Sequence, residues 1–203
     1  MSWFYRLVRG IVTVLSAILF RVKYYGRENI PSDGGIIAAG NHQTMWDAVF
    51  VARGVQKRQI FFMGKAEFFD IPVLKHVFRA LGAYPVRRGR GDTSAIDAAI
   101  DVVKKERIMG IFPEGTRNQS GEMKPQTGVA VIAAASGGDV LPISIYFKGK
   151  IMPFKKVTVR FGKPLKNADI CPAKVLSSKE RKATAKLIME KIQEMYNLEH
   201  QKV

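Results

Sequence analysis

Short apolar runs alternating with helically patterned stretches leave this chain few architectures to choose from. The runs are Ile36-Ile37-Ala38-Ala39, Ile60-Phe61-Phe62-Met63, Ala83-Tyr84-Pro85-Val86, Ile108-Met109-Gly110-Ile111-Phe112 and Val140-Leu141-Pro142-Ile143-Ser144-Ile145. Each has the length of a strand and is apolar at successive positions, as strands covered on both faces are. Val157, Val159 and Phe161 alternate instead with polar neighbours, marking a half-buried strand. Between the runs, Ile96, Ile100 and Val103 share one face of a helix starting near Asp92-Thr93-Ser94, and Gly128 to Ala135 is a small-residue helix. Ser177 and Glu180 form a capping box ahead of Leu187, Ile188, Ile192, Met195 and Tyr196 on one helical face. This alternation predicts an α/β fold: a single layered domain with a largely parallel central sheet flanked by helices. With 203 residues and no internal repeat or long linker, one domain over residues 23–203 follows an amino-terminal segment, 1–22.

That segment has its own pattern. Polar residues fall at Ser2, Arg6, Arg9, Thr13 and Ser16, in alternating steps of four and three, a narrow polar stripe on an otherwise apolar helix. Its uninterrupted stretch from Gly10 to Phe20 spans roughly 16 Å, about half of a bilayer's hydrocarbon core. Such a helix is too short to cross. It suits the interface, with Trp3, Phe4 and Tyr5 at headgroup level and Arg6, Arg9, Arg21 and Lys23 toward phosphates. A helix packed on the protein's own core and a secretory signal peptide are the other readings the pattern permits, although no clear small-residue cleavage site follows. The flanking positive charge favours attachment to the cytoplasmic face of the cell membrane.

Charge narrows the partners. Lys and Arg number 33 against 17 Asp and Glu, a formal net charge of +16 that attracts polyanions. Nucleic-acid binders concentrate basic residues in runs or on a recognition helix. Here the clusters Arg87-Arg88-Gly89-Arg90, Lys104-Lys105 and Lys155-Lys156 are short and scattered, so membrane lipids and phosphorylated substrates are the expected partners and nucleic acid is not. Cys171 stands alone, so no intrachain disulfide forms.

In parallel sheets, reactive groups gather where strands end and helices begin. The segment after the first apolar run reads Asn41-His42-Gln43-Thr44-Met45-Trp46-Asp47. On one continuous helix, His42 and Asp47 would point apart. If His42 lies in the strand-to-helix turn and Asp47 in the first helical turn, the carboxylate can reach back, fix the ring's tautomer and support the charge formed when the other nitrogen takes a proton. No Gly-x-Ser-x-Gly elbow accompanies the pair. The base half of a triad without its serine points to a base acting on a hydroxyl of the substrate. A turn with a capping polar residue explains the pair alone equally well. A metal site lacks a second His at ligand spacing. After the fourth run comes Pro113-Glu114-Gly115-Thr116-Arg117, an irregular turn with a forked cationic donor suited to phosphate. By itself it reads as well as a surface turn with a Glu–Arg pair.

Together, Asn41-His42 with Asp47 and Phe112-Pro113-Glu114-Gly115-Thr116-Arg117 resemble the glycerolipid acyltransferases of the lysophosphatidate acyltransferase family. Lys65-Ala66-Glu67-Phe68 followed by Pro72, Gly82-Ala83-Tyr84-Pro85-Val86-Arg87-Arg88 and Val140-Leu141-Pro142-Ile143 are similar to further blocks of that family, in family order from about residue 25 to 165. The resemblance implies that His42 is the general base and Asp47 its orienting partner. It implies that Glu114, Gly115 (through its backbone), Thr116 and Arg117 hold a glycerol phosphate, with Lys65 and Arg88, rather than the adjacent Arg87, as further phosphate contacts. The implied reaction carries a fatty acyl chain from acyl-CoA or acyl-carrier protein to the 2-hydroxyl of 1-acyl-glycerol 3-phosphate, with no metal or redox cofactor. Acylation of glycerol 3-phosphate or of another lysophospholipid is the alternative within the family, and a non-catalytic basic membrane-binding module the alternative outside it. Family members often carry a longer amino-terminal membrane segment than the 22 residues here.

Overall fold

The computed structural model describes the chain apart from residues 1–2, 73–74, 76–81, 87–93, 119–121 and 202–203. Helix α1 (Trp3–Leu19) leads into β1 (Arg21–Tyr25), followed by β2 (Ile36–Gly40), α2 (Asp47–Gly54), β3 (Ile60–Lys65), β4 (Ala83–Val86) and α3 (Ser94–Lys104). Then come β5 (Ile108–Ile111), α4 (Gly128–Ser136), β6 (Asp139–Tyr146), β7 (Lys156–Phe161), the short α5 (Asn167–Ile170) and α6 (Ser178–His200). The strands form one seven-stranded sheet in the order β1-β7-β6-β2-β5-β3-β4. From β6 to β4 every pairing is parallel; β7 is antiparallel to β6, and β1 runs parallel to β7 at the edge. The expected α/β layered fold with a largely parallel sheet is present.

The apolar runs of the sequence are strands because both faces of the sheet are covered. Ile37, Ala39, Met109, Ile111 and Val140 point into one core with α3, α4 and α6. Ile36, Ala38, Ile108, Leu141, Ile143 and Ile145 point into the other with Phe50 and Val51 of α2 and the inward residues of β7. Gly110 is required where it stands: a Cβ there would lie 2.3 Å from the Phe62 ring on the neighbouring strand. The capping box opens α6, with the Ser177 hydroxyl accepting from the Glu180 N–H and Glu180 from the Ser177 N–H. Ala185, Ile188, Met189 and Ile192 form its buried face. Leu187 lies outside that stripe and is exposed, because Ala185 and Met189 are the residues in register with Ile188 and Ile192 against the sheet.

Helix α1 packs by its polar side. Arg9 donates to the carbonyls of Val55 (3.3 Å) and Gln56 (2.8 Å) beyond α2, Ser16 is wholly buried, and Tyr5 is buried beside Arg9. The opposite face, with Trp3, Leu7, Ile11, Val14, Leu15 and Ile18, is exposed. Arg9, expected to face lipid phosphates, is therefore held on the protein's own carbonyls, and Tyr5, expected at headgroup level, is buried against the protein; Arg6 stays exposed. Among the described residues, no helix is long and apolar enough to cross a membrane.

Candidate active site

The carboxyl-terminal ends of β2 and β5 lie side by side, since Ile36–Ala39 pair with Ile108–Ile111 in parallel register. The two polar turns that follow these strands therefore meet, although about 70 residues separate them in the chain.

Past β2 the chain turns through residues 41–46 before α2 begins at Asp47. The turn is anchored by Asn41, which is wholly buried and extends the β2–β6 pairing with its side chain. Its Oδ1 accepts from the Ile145 N–H at 2.7 Å and its Nδ2 donates to the Ile145 carbonyl at 2.9 Å. Asp47 then reaches back. Its Oδ2 accepts from the Gln43 and Thr44 N–H groups at 2.6 and 2.7 Å and lies 2.9 Å from His42 Nδ1, while Oδ1 accepts from the Thr44 hydroxyl at 2.9 Å. A fully buried carboxylate is expensive unless its lone pairs are used; here they are, and the positive end of α2 adds to the balance. Because a carboxylate only accepts, Nδ1 is the protonated nitrogen of the ring and Nε2 carries the lone pair. The His42 side chain keeps 16% of its surface exposed, so the ring is fixed yet reachable.

The second turn clamps the first. Glu114 is buried, and its Oε2 accepts from the His42 N–H at 2.5 Å while its Oε1 accepts from Asn118 Nδ2 at 3.1 Å. The Asn118 N–H in turn donates to the His42 carbonyl at 2.7 Å, so the backbone of His42 is gripped on both sides. Burial pushes the Glu114 carboxyl up from its ordinary value, more than the donors from His42 and Asn118 pull it down. Gly115 takes a left-handed conformation (φ 73°) and lets the turn close on Phe112, whose carbonyl accepts from the Gly115 N–H. Gly115, Thr116 and Arg117 are exposed, and Arg117 has no carboxylate partner among the described residues.

Two contacts at the site are not announced by any motif. The Phe112 ring stacks on His42 with centroids 4.1 Å apart and 12° between planes, and Phe62 lies parallel beyond it at 6.0 Å. Gln43 meets the Tyr196 hydroxyl of α6 at 3.3 Å, bracing the turn from the carboxyl-terminal helix. Asn41 and Phe112 are legible in the sequence as part of the two polar segments, but their roles depend on strands far apart in the chain.

The structure thus unites His42, Asp47 and Glu114 by direct bonds and sets Gly115, Thr116 and Arg117 on the same loop. Lys65 ends β3, which neighbours β5, so its backbone lies at the same edge of the sheet. Arg88 and Arg87 lie outside the described residues.

Residues 21–146, more than half the chain, match the sequence profile of the family described as Acyltransferase. The chain belongs to the acyltransferase family. Of its relatives, the 1-acyl-sn-glycerol-3-phosphate acyltransferase of Bacillus subtilis (strain 168) is 30% identical over 95% of this acyltransferase and 97% of its own length. The enzyme of that name from Streptococcus pneumoniae is 33% identical over 82% of this chain, which spans 64% of that longer protein. The crystal structure of the 1-acyl-sn-glycerophosphate (LPA) acyltransferase PlsC from Thermotoga maritima superposes on 94% of the acyltransferase and 79% of PlsC, at a TM-score of 0.72 and 25% identity.

Proposed function

We propose that this acyltransferase moves a fatty acyl chain from a thioester, carried by coenzyme A or acyl-carrier protein, to the 2-hydroxyl of 1-acyl-glycerol 3-phosphate, giving phosphatidic acid. In support, the relatives identified above are named as acyltransferases of 1-acyl-sn-glycerol 3-phosphate. The observation that carries the reading is the His42 ring, oriented through Nδ1 by a buried carboxylate with Nε2 left as a base.

Arg117, with Thr116 and the backbone at Gly115, receives the phosphate of the acceptor, and Lys65 and Arg88 add positive charge. His42 Nε2 takes the proton of the 2-hydroxyl as its oxygen attacks the thioester carbonyl carbon. The tetrahedral oxyanion collapses, the carbon–sulfur bond breaks, and the imidazolium returns its proton to the leaving thiolate. Asp47 stabilises the imidazolium between these two steps. Glu114, carried over as a substrate contact, also serves to position the base, its buried carboxylate accepting from the His42 N–H and from Asn118. The outward apolar face of α1 rests in the surface of a membrane, on the cytoplasmic side where thioester donors are present.

Purified protein incubated with lysophosphatidate and either acyl-CoA or acyl-carrier protein should release phosphatidate and free thiol in equal amounts. Glycerol 3-phosphate in place of lysophosphatidate should give little product. Acylation of glycerol 3-phosphate at a comparable rate, or full activity in His42→Ala, would overturn the assignment.

A further inference from the structure

The loop that joins β6 to β7 pairs exposed apolar side chains with a collar of lysines. Its sequence runs Lys148-Gly149-Lys150-Ile151-Met152-Pro153-Phe154-Lys155-Lys156. Met152 and Phe154 are 61% and 65% exposed, unusual for two large apolar side chains two residues apart. Ile151 turns inward onto the core and anchors the base of the loop. None of the four lysines has a carboxylate partner among the described residues.

This tip is held in place. The Phe154 N–H donates to the Leu19 carbonyl at the end of α1 at 2.5 Å, and the Lys155 carbonyl accepts from the Arg21 N–H at 3.0 Å. Lys155 also closes a turn onto the Met152 carbonyl at 3.2 Å. Phe154 adopts a left-handed backbone (φ 64°), which L residues other than glycine and asparagine rarely take. Fixing a phenylalanine there presents its ring to solvent instead of folding it into the core. The place is telling too. Leu19 follows Ile18, the last outward apolar residue of α1, so the exposed Phe154 is bonded through its backbone to the end of that helix. Phe20 then packs edge-on against Trp46 (centroids 5.0 Å), the residue before Asp47, and Met45 beside it is 63% exposed. Since β6 lies beside β2 in parallel register, the loop and the turn that carries His42 leave the same edge of the sheet. At its foot a recess is lined by Lys148, Lys155, Lys156, Phe154, Tyr146 and Thr158 together with Glu199, whose carboxylate is paired with Arg160, so the lysines leave it net positive for an anionic headgroup.

We propose that the β6–β7 loop is a second membrane contact, in which Met152 and Phe154 enter the acyl-chain region and Lys148, Lys150, Lys155 and Lys156 bind anionic lipid headgroups. This rests on the reading that α1 lies in a membrane surface, and extends it: two points of attachment, one of them at the same sheet edge as the catalytic turn, turn the mouth of the site toward the bilayer. The acceptor then enters with its acyl chain still among the lipids. An acidic carrier protein would match the lysines, but it would not require two apolar side chains at the tip. A bilayer uses both.

The test places an environment-sensitive fluorophore on Met152→Cys and, in a separate full-length protein, on Ile11→Cys; Cys171 is buried and does not compete for the label. With vesicles of phosphatidylcholine and phosphatidylglycerol, both labels should brighten and shift to the blue. In co-sedimentation, the Met152→Ser/Phe154→Ser protein should bind such vesicles at least about tenfold more weakly. Changing the four lysines to Gln should cost about fivefold per residue, an effect that fades in vesicles of phosphatidylcholine alone. Both variants should keep their activity on lysophosphatidate in detergent micelles, since the altered side chains lie on the surface. If position 11 responds and position 152 does not, α1 alone attaches the protein and the proposal fails. If neither responds, the membrane reading of α1 fails with it. A response at 152 to acyl-carrier protein without vesicles, or to raised protein concentration alone, assigns the loop to a protein partner and also overturns the proposal.

Discussion

The two turns that meet at the sheet edge are built on opposite plans. In the turn after β2, every polar side chain is already committed: Asn41 to β6, Thr44 and His42 to Asp47, and Asp47 to four donors. In the turn after β5 the chain is split, with Glu114 buried and bonded through both oxygens while Thr116 and Arg117 face solvent. Groups that move protons gain from being fixed before substrate arrives, because reorganisation then adds nothing to the barrier. Groups that bind an anion must stay open until it comes. The division predicts that substitutions in the first turn act on kcat and those in the exposed half of the second act on KM.

His42→Ala tests the first half most severely. It should lower kcat by about 10²–10⁴-fold, with the KM for lysophosphatidate changing little, in a steady-state assay of phosphatidate release. Arg117→Ala tests the second half. Losing a charge-assisted bond to phosphate should raise that KM by about 10–100-fold and leave kcat within a few-fold. Equal loss in kcat without a change in KM would erase the distinction between the turns.

Phe112 sharpens the comparison because it belongs to the second turn by sequence and to the first by contact. Its ring covers one face of His42 and helps hold the imidazole in its plane. Phe112→Leu should therefore lower kcat by about two- to fivefold, with acceptor KM unchanged. A change in KM alone would return Phe112 to the binding half.

The smallest effect concerns Glu114 and is one of stability. Its carboxyl is raised by burial, so folding favours the protonated form. That contribution is complete below the ordinary glutamate value and is lost as pH rises through the raised one. The Tm of Glu114→Gln minus that of the parent should accordingly increase between about pH 4 and pH 8. A difference that stays flat would show that the Glu114 carboxyl is not raised in the folded protein.

The sequence made the sheet legible where burial was two-sided. β2, β5 and β6 declare themselves as apolar runs, and α6 by its capping box. β1 is harder to see, because an edge strand whose residues alternate between exposed and half-buried carries little pattern; its partner β7 lies some 135 residues away. At the site, the spacing of His42 and Asp47 was readable as soon as a strand-to-helix turn was assumed, since a turn supplies the reversal that a helix would not. The partners of Glu114 were only half readable: Asn118 lies four residues on in the same turn, but the His42 N–H comes from the turn beyond the neighbouring strand. The stack of Phe112 on His42 and the inward polar stripe of α1 share that origin. Each is decided by which surface happens to lie opposite.

The inverted packing of α1 separates two properties that most amphipathic helices keep tied together. Where a helix docks through its greasy side, making it water-soluble ruins the fold. Here Leu7, Ile11, Val14 and Ile18 contribute nothing to the interior, whereas Tyr5, Arg9 and Ser16 hold the helix in place. The proposed attachment can thus be strengthened, weakened or removed by rewriting the outward residues alone, and the sheet beneath stays as it is.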